Sequence, residues 1–408
     1  MRHLIVGASA AGLAAADAIL TRDATAEVTI LSEEPDPPYC RPLISYWLAR
    51  ETPDSLFALP SEFLARTELR LACRAAAILP AVKRLRRDSG EELGYDRLLL
   101  ATGAASTRVG LGGEEAANVR GFRSREDARA IDAELARGAE KAVILGGGLV
   151  GVKAAHALAA RGLCATLAIA SEHPLSQVVD RVAGDLIAEA LAEEGVRVRT
   201  GVSPTSFDIR DGRVRSVTFS DGSSEPCDLV VVGKGVVPRT ELFAGLGVDV
   251  SAGVPVDQTL RTPWPDVWAA GDAALTYDVA WSRPRLTAIW PMAVEQGGLA
   301  GRNMAGADEA YPGSLAMNSL RIGRLHVVSA GITRPPDSTY EERSVTERAR
   351  GTYRKIVTKH GRLVGTIFAG DPEQAGMVVT AIRCGARLED IPFDPLERGI
   401  HWGRYAFG

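Results

Sequence analysis

The sequence has few cysteines, and none of them stands close to another. Its 408 residues include five, at Cys40, Cys73, Cys164, Cys227 and Cys384, with no CxxC pair and no cluster of Cys and His. A disulfide framework, a zinc site and a dithiol relay all need such residues at short spacings. The sequence therefore argues against all three, and we predict no metal site.

An excess of one charge and long apolar runs are also missing. The 47 Lys and Arg residues against 51 Asp and Glu residues give a net charge of −4, so no basic field attracts nucleic acid or anionic lipid. The longest apolar run beyond the N-terminus covers residues 142–152, short of the roughly 20 residues of a membrane helix. We expect no nucleic-acid partner, no membrane span and a cytoplasmic protein without targeting or lipidation signals.

What the sequence does contain is one pattern used twice. Residues 4–31 and residues 142–169 each predict a strand, a glycine-rich turn, a helix and a second strand, which is a βαβ unit of Rossmann type. A spacing of about 140 residues is too long for a solenoid repeat and suits two nucleotide-binding domains. The chain length also favours two or three domains.

The first glycine turn, residues 7–12 (GASAAG), fits the dinucleotide-binding fingerprint. Its small residues allow a tight turn and a close approach of the pyrophosphate, and the helix that follows offers free N–H groups. An ordinary strand-to-helix turn is the alternative for the turn alone, but an acid stands about 20 residues further on, where ribose hydroxyls would need it. We predict a dinucleotide site at Gly7, Ser9, Ala10, Gly12 and Glu33. A signal peptide is a poorer interpretation, because its cleavage would remove the turn.

The second turn, residues 146–151 (GGGLVG), matches the same fingerprint but its unit lacks the acid. Ile169 stands near the expected position, and Glu172 follows a few residues late. No Arg follows to bind a 2′-phosphate, which gives NADH a weak preference over NADPH and leaves an impaired site as an alternative. The predicted NAD(P) contacts are Gly146, Gly148, Leu149, Val150 and Gly151.

From about residue 311 the pattern changes to alternating strands, followed by a helix near residues 372–383. Such a change predicts a third domain, of α+β type. The expected fold class is α/β, with two Rossmann-type nucleotide-binding domains and a C-terminal α+β domain.

Seven ordered motifs resemble one family, the FAD-dependent pyridine nucleotide oxidoreductases of glutathione-reductase-like architecture. The resemblance is to the branch with rubredoxin reductases, ferredoxin reductases and nitrite reductase flavin components, and it covers nearly the whole chain. The motifs are residues 7–12 with Glu33, 37–45 (PPYCRPLIS), 101–103 (ATG), 146–151, 231–238 (VVGKGVVP), 269–272 (AAGD) and 290–297 (WPMAVEQG).

This resemblance implies FAD in the first domain and NAD(P) in the second. The implied boundaries are residues 1–108 with 250–308 for FAD, 109–249 for NAD(P), and 309–408 for a C-terminal interface domain. The implied roles are Asp272 with Gly271 at the ribityl chain, Arg41 and Pro42 beside the isoalloxazine, Thr102 and Gly103 over the dinucleotide, Glu295 and Gln296 at the pyrimidine edge, Trp290 as a wall of the flavin, and Gly235 at NAD(P).

The sequence also departs from the family. Pro42 stands where relatives with a redox cysteine carry it, and Cys40 has no second thiol nearby, so disulfide reductase chemistry is not expected. Lys153 stands where many relatives have Glu near the nicotinamide. His401 and Trp402 form a further cluster in the C-terminal tail, although a lone His is more often structural. The catalytic residue stays unassigned.

The leading hypothesis is an enzyme in which NAD(P)H reduces FAD, and the flavin passes single electrons to a small, acidic redox protein such as a rubredoxin or ferredoxin. A second hypothesis is an NADH oxidase or small-molecule reductase. A third, motivated by Lys153 and Ile169, is a flavin-bearing electron-transfer subunit of a larger complex with a degenerate nicotinamide site. A homodimer is compatible with each of them.

Overall fold

The computed structural model of the protein describes residues 1–54 and 65–397. Within them lie the α-helices α1 (Ala10–Arg22), α2 (Ile44–Leu48), α3 (Arg125–Ala136), α4 (Leu149–Ala160), α5 (Arg181–Glu193), α6 (Trp290–Met304) and α7 (Ala375–Arg383). The strands are β1 (Arg2–Val6), β2 (Glu27–Leu31), β3 (Glu68–Arg70), β4 (Ala75–Leu79), β5 (Arg84–Arg87), β6 (Glu92–Gly94), β7 (Arg97–Leu100), β8 (Ala104–Ser106), β9 (Val119–Arg120), β10 (Lys141–Leu145), β11 (Cys164–Ala168), β12 (Val196–Arg199), β13 (Pro204–Arg210), β14 (Arg213–Phe219), β15 (Ser224–Pro226), β16 (Leu229–Val232), β17 (Val236–Pro238), β18 (Val254–Pro255), β19 (Val267–Ala269), β20 (Ala274–Asp278), β21 (Arg283–Leu286), β22 (Met317–Ile322), β23 (Leu325–Gly331), β24 (Tyr340–Glu347), β25 (Thr352–Lys359) and β26 (Arg362–Ala369).

The first sheet is parallel, with the strand order β19-β7-β1-β2-β3. Its central strands are nearly continuous apolar runs, as expected for strands covered on both faces. Helices α1 and α6 pack closely against each other beside it. Gly297 and Gly301 permit this approach, since a Cβ at either would lie within 2.4 Å of a carbonyl oxygen of α1.

The second sheet is also parallel, in the order β12-β11-β10-β16-β9. Strand β10, helix α4 and strand β11 form the predicted βαβ unit. We call the first sheet with its helices the first unit and the second sheet with its helices the second unit. The chain leaves the first unit through β8 and returns to it through β17, and these two strands pair as a two-stranded antiparallel ribbon. Strand β19 lies in the first sheet, far along the chain from β1. The exact domain boundaries stay a prediction.

The C-terminal sheet is antiparallel, in the order β22-β23-β26-β25-β24. Helix α5 of the second unit packs on it, and helix α7 also contacts it. Two polar contacts fix this junction: Tyr353 Oη and Lys355 Nζ both donate to Asp180 Oδ2, at 2.6 and 3.0 Å. The α+β prediction for this region is confirmed by the antiparallel sheet and its helix.

The basic run at residues 83–87 lies on β5 and the turn before it, and β5 pairs with β6 in a small hairpin. Lys83, Arg84 and Arg87 form ion pairs with Asp266, Glu92 and Glu91. This run therefore fits a solvated hairpin better than a docking surface. Among the described residues, no helix combines the length and apolar character that a bilayer crossing requires.

His3 on β1 generates a prediction about acid stability. Its side chain is 3% exposed, its Nδ1 has no hydrogen-bond partner, and burial followed by the charge of Arg97 lowers its pKa from 6.5 to about 4. Between pH 6.5 and pH 4, His3 is therefore protonated in the unfolded chain but neutral in the folded protein. As a result, the free energy of unfolding decreases as the pH drops through this interval. This one group contributes a loss of up to about 3 kcal/mol.

The measurement is urea unfolding of wild type and His3→Gln at several pH values. We expect the difference in unfolding free energy between the two proteins to change across that interval and to stay constant above pH 7. A difference independent of pH would contradict the assignment.

Candidate functional site

The two glycines that bound the first turn lie too close to neighbouring backbone for a side chain to fit. Gly7 has φ +115°, and a Cβ there would lie 2.1 Å from Ala101 O, while a Cβ at Gly12 would lie 1.9 Å from Gly7 O. Ser9 is the N-cap residue of α1, yet its side chain caps no N–H group of the helix. The start of α1 thus keeps backbone donors and a positive dipole end for an anion.

Two guanidinium groups stand beside this helix start. Arg41 Nε donates to Ser9 Oγ at 3.3 Å, and its Nη1 donates to the carbonyl oxygen of Arg123 at 3.2 Å. Arg123 Nη2 in turn donates to Asp272 Oδ2 at 2.9 Å. Arg41 also pairs with Glu34, which accepts a hydrogen bond from Tyr39 Oη at 2.8 Å. The predicted residues Arg41, Ser9 and Asp272 are therefore brought together.

Arg123 is a candidate site residue that was not predicted from the sequence. It directly precedes Ser124, whose capping box with Asp127 begins α3. That motif signals a helix start and nothing about a ligand, so only the fold shows that this residue reaches Asp272 from the second unit.

Gln296 lies close to Asp272 but holds the backbone. Its side chain is 1% exposed, with Oε1 accepting from Gly271 N at 2.8 Å and Nε2 donating to Ser314 Oγ at 3.1 Å. Both ends of the amide are therefore used inside the protein. We interpret Gln296 as a residue that positions the Gly271 turn, which has φ +79°, and its predicted flavin contact stays a prediction.

Trp290 and Glu295, two further predicted flavin contacts, lie on α6 together with Gln296. Trp290 is the first residue of this helix, is half-buried, and packs against the core that contains α1. Glu295 forms an ion pair with Arg383 of α7. The C-terminal region thus reaches the helix that the resemblance places at the flavin, and the carboxylate of Glu295 already has a cationic partner.

Glu33 follows β2 at the same sheet edge as the glycine turn. Its carboxylate pairs with Arg239, the residue after β17. Thr102 Oγ1 donates to the carbonyl oxygen of Arg239 at 2.7 Å, and Arg239 N donates to that of Gly103 at 2.9 Å. The predicted residues Glu33, Thr102 and Gly103 therefore share one neighbour. Pro42 follows Arg41 in a short 3₁₀ turn.

The second turn repeats the packing of the first. A Cβ at Gly146, where φ is +120°, would lie 2.5 Å from Gly233 O, and one at Gly151 would lie 1.8 Å from Gly146 O. Gly148 is the N-cap residue of α4 and faces open space. Gly235, with φ +93°, also faces open space. The geometry leaves a ligand room to approach the start of α4, where Leu149 and Val150 lie.

The expected acid of the second unit is replaced by a packed hydrophobic side chain. Ile169 is 1% exposed and abuts Gly147, where a Cβ would lie 2.8 Å from Ile169 Cγ2. Glu172 is exposed, and Arg181 Nη1 lies 3.3 Å from its Oε2. The fold thus brings an arginine to this end of the site, although no Arg follows β11 directly in the sequence.

Lys153 connects the two units. It lies on α4, and its Nζ is 4.8 Å from the ring centroid of Tyr46 on α2, a cation–π arrangement. Within the described chain, no carboxylate oxygen lies within ion-pair distance of this ammonium. A cation thus stands between the helices that follow Arg41 and Gly148.

The thiols do not form a redox pair. All five cysteines are free, and burial raises the pKa of the Cys40 thiol, which lowers its reactivity. The described residues contain no group of His, Cys, Asp and Glu side chains suited to a metal ion. His401 and Trp402 lie outside the described residues.

Two dinucleotide-type loops in one chain define an oxidoreductase with two nucleotide sites, and comparison with known proteins identifies its family. Residues 1–297 match the pyridine nucleotide-disulphide oxidoreductase family, and residues 317–386 match the rubredoxin NAD⁺ reductase C-terminal domain. The chain belongs to the pyridine nucleotide-disulphide oxidoreductase family. The predicted fold class, enzyme class and cofactors, FAD and NAD(P)H, are confirmed.

Individual relatives extend this comparison. The chain is 33% identical over 279 residues to a rubredoxin-NAD(+) reductase of Pseudomonas putida, covering 67% of this chain and 72% of that protein. It is 29% identical over 392 residues to the NADH-dependent phenylglyoxylate dehydrogenase subunit epsilon of Aromatoleum evansii, covering 92% and 87%. A ferredoxin reductase of Rhodopseudomonas palustris shares the fold with a TM-score of 0.89 at 24% identity, covering 99% of each chain.

Gly148 provides a test of the second site. Gly148→Ala adds a Cβ in open space at an ordinary φ of −77°, so we expect the protein to fold, with a melting temperature lowered only by the poorer N-cap that Ala provides. The methyl group would occupy the surface that a pyrophosphate approaches, and we expect the dissociation constant of NAD(P)H to rise about tenfold. Equilibrium dialysis with the holoprotein measures it. Gly376→Ala, also in open space, is the control, and an unchanged constant in Gly148→Ala would contradict this site.

Proposed function

We propose that the protein transfers electrons from NAD(P)H through FAD to a small redox protein of the rubredoxin or ferredoxin kind. The observation that carries the proposal is the pair of glycine turns, each with a helix start left uncapped by side chains. FAD is proposed at the first turn, with Gly7, Ser9, Ala10, Gly12, Glu33, Arg41, Pro42, Thr102, Gly103, Arg123, Gly271, Asp272 and Trp290. NAD(P)H is proposed at the second, with Gly146, Gly148, Leu149, Val150, Gly151 and Gly235.

The residues around the first turn suit the chemistry of FAD. The start of α1 offers free N–H groups and a positive dipole end to a pyrophosphate, and a carboxylate such as Asp272 accepts hydrogen bonds from the hydroxyls of a ribityl chain. Arg41, which contacts Ser9 at this helix start, keeps its proposed place beside the isoalloxazine. FAD supplies the conversion of a two-electron hydride donor into a one-electron donor. The protein's part would be to bind both nucleotides and to orient them for that transfer.

The free thiols support a protein acceptor over thiol chemistry. Cys40 lies next to Arg41 but is unpaired and has a raised pKa, so it is a poor relay for electrons. The named relatives include reductases of rubredoxin and of ferredoxin, which supports electron transfer from the flavin directly to a carrier. Five free thiols also suit a reducing compartment, and we propose the cytoplasm.

The test is an acceptor assay with the purified holoprotein and excess NADH. We expect reduction of a rubredoxin or a [2Fe–2S] ferredoxin in one-electron steps. Oxygen consumption without any carrier is the matched measurement. Oxygen turnover as fast as carrier reduction would contradict the proposal and would favour the NADH oxidase alternative.

A second candidate function is supported by the length of one match. The relative named as a subunit of phenylglyoxylate dehydrogenase aligns with 92% of this chain, whereas the rubredoxin reductase of Pseudomonas putida aligns with 67%. The chain would then be the flavin-bearing subunit of a larger complex. Purification from its own cells at low salt discriminates the two, because a subunit would elute with its partners in a fixed ratio.

A further inference from the structure

Arg239 belongs to the return connection from the second unit, yet its side chain contacts the first site. Its Nη1 donates to Oε1 of Glu33, and the two side chains are 35% and 40% exposed. Glu33 is the acid proposed for the adenosine ribose of FAD. An arginine thus stands at the adenosine end of the proposed FAD site, 206 residues along the chain from that acid.

The backbone fixes the position of Arg239. Its N–H group donates to Gly103 O at 2.9 Å, and its carbonyl oxygen accepts from Thr102 Oγ1 at 2.7 Å. Thr102 and Gly103 follow β7 of the first sheet, whose neighbour is β1. These two hydrogen bonds fix the Cα position of Arg239, and from this position its guanidinium contacts Glu33.

This position is also where the two units are joined. The outgoing strand β8 and the returning strand β17 pair with each other, and Thr107 N donates to Gly235 O at 2.9 Å. Arg239 is the first residue after β17. Its contact with Glu33 therefore links the connection between the units to the first nucleotide site.

The chemistry of a carboxylate allows both contacts at once. Arg239 occupies Oε1 of Glu33, and a carboxylate has two oxygens with about four acceptor positions, so Oε2 stays available for ribose hydroxyls. We propose that Arg239 is a positioning residue for FAD, which holds Glu33 in the orientation that accepts from the adenosine ribose. The proposal rests on the placement of FAD at the first turn and is independent of the electron acceptor.

A purely structural ion pair would behave differently. Exposed pairs contribute little to stability, so loss of Arg239 by itself should leave the fold intact. Its effect should appear in FAD binding and should require the carboxylate of Glu33. Arg108 and Glu115 provide a matched control, since they form an exposed ion pair on the same outgoing connection, and no contact joins them to Glu33.

The experiment measures FAD release from the holoprotein after dilution, by the recovery of free-flavin fluorescence. We expect Arg239→Asn to release FAD about tenfold faster, because a charge-assisted hydrogen bond that orients the acid is lost. Arg239→Lys should recover most of the wild-type rate, and Arg108→Gln should match wild type. Release from Arg239→Asn at the wild-type rate would overturn the proposal.

A double-variant cycle separates positioning from structure. In a Glu33→Gln background we expect Arg239→Asn to add less than about a twofold change, because its effect acts through the carboxylate. The full effect in that background would overturn the proposal. If Glu33→Gln alone leaves FAD release unchanged, the proposal fails because the carboxylate then contributes nothing to FAD binding, whereas failure with protein acceptors alters none of these release rates.

Discussion

The proposed FAD site depends on the backbone N–H groups at the start of α1. No side chain caps them, and a helix start in this condition attracts an anion. The packing around it leaves no freedom: Gly12 contacts Gly7, and Gly7 contacts Ala101 at the end of the neighbouring strand, both more closely than a Cβ permits. The same geometry recurs at the start of α4. The structure thus contains two uncapped helix starts, each next to a tightly packed glycine turn.

The segment between the two halves of the first unit contributes two side chains to the proposed first site. Arg123 and Arg239 both lie in the segment between the two halves of the first unit, and they contact Asp272 and Glu33. Arg383 of the C-terminal region pairs with Glu295 of α6, so this region also contacts the first unit. Binding of FAD would therefore be sensitive to how the units are joined, and a fixed junction is what hydride transfer between two bound rings requires.

The βαβ units could be predicted from the sequence because their glycines stand at the fixed spacing of the dinucleotide-binding fingerprint. Gly7, Gly12, Gly146 and Gly151 are all positions where a Cβ meets a carbonyl oxygen. The contacts of Arg123, Arg239 and Lys153 could not be predicted in the same way, since they join residues far apart in the chain and follow no fixed spacing. Gln296 illustrates a third case: the resemblance implies a flavin contact for it, but its buried amide bonds to Gly271 N and Ser314 Oγ, which no sequence motif indicates.

The missing acid has a physical consequence for the nucleotide at the second site. Ile169 packs on Gly147, so no carboxylate at the end of β11 accepts from a ribose, and none repels a phosphate. The guanidinium of Arg181 pairs with Glu172, which follows Ile169 by three residues. If NAD(P)H binds at the start of α4, we expect the discrimination between NADH and NADPH to be weak, because no carboxylate follows β11 directly.

We propose that a nicotinamide bound at the second turn reduces a flavin bound at the first. An anaerobic experiment tests this: NADH and, separately, NADPH are mixed with the holoprotein, and the visible absorption band of the flavin is followed with time. We expect rapid bleaching by at least one of them, without any protein acceptor. A flavin that dithionite reduces but neither nicotinamide does would contradict it.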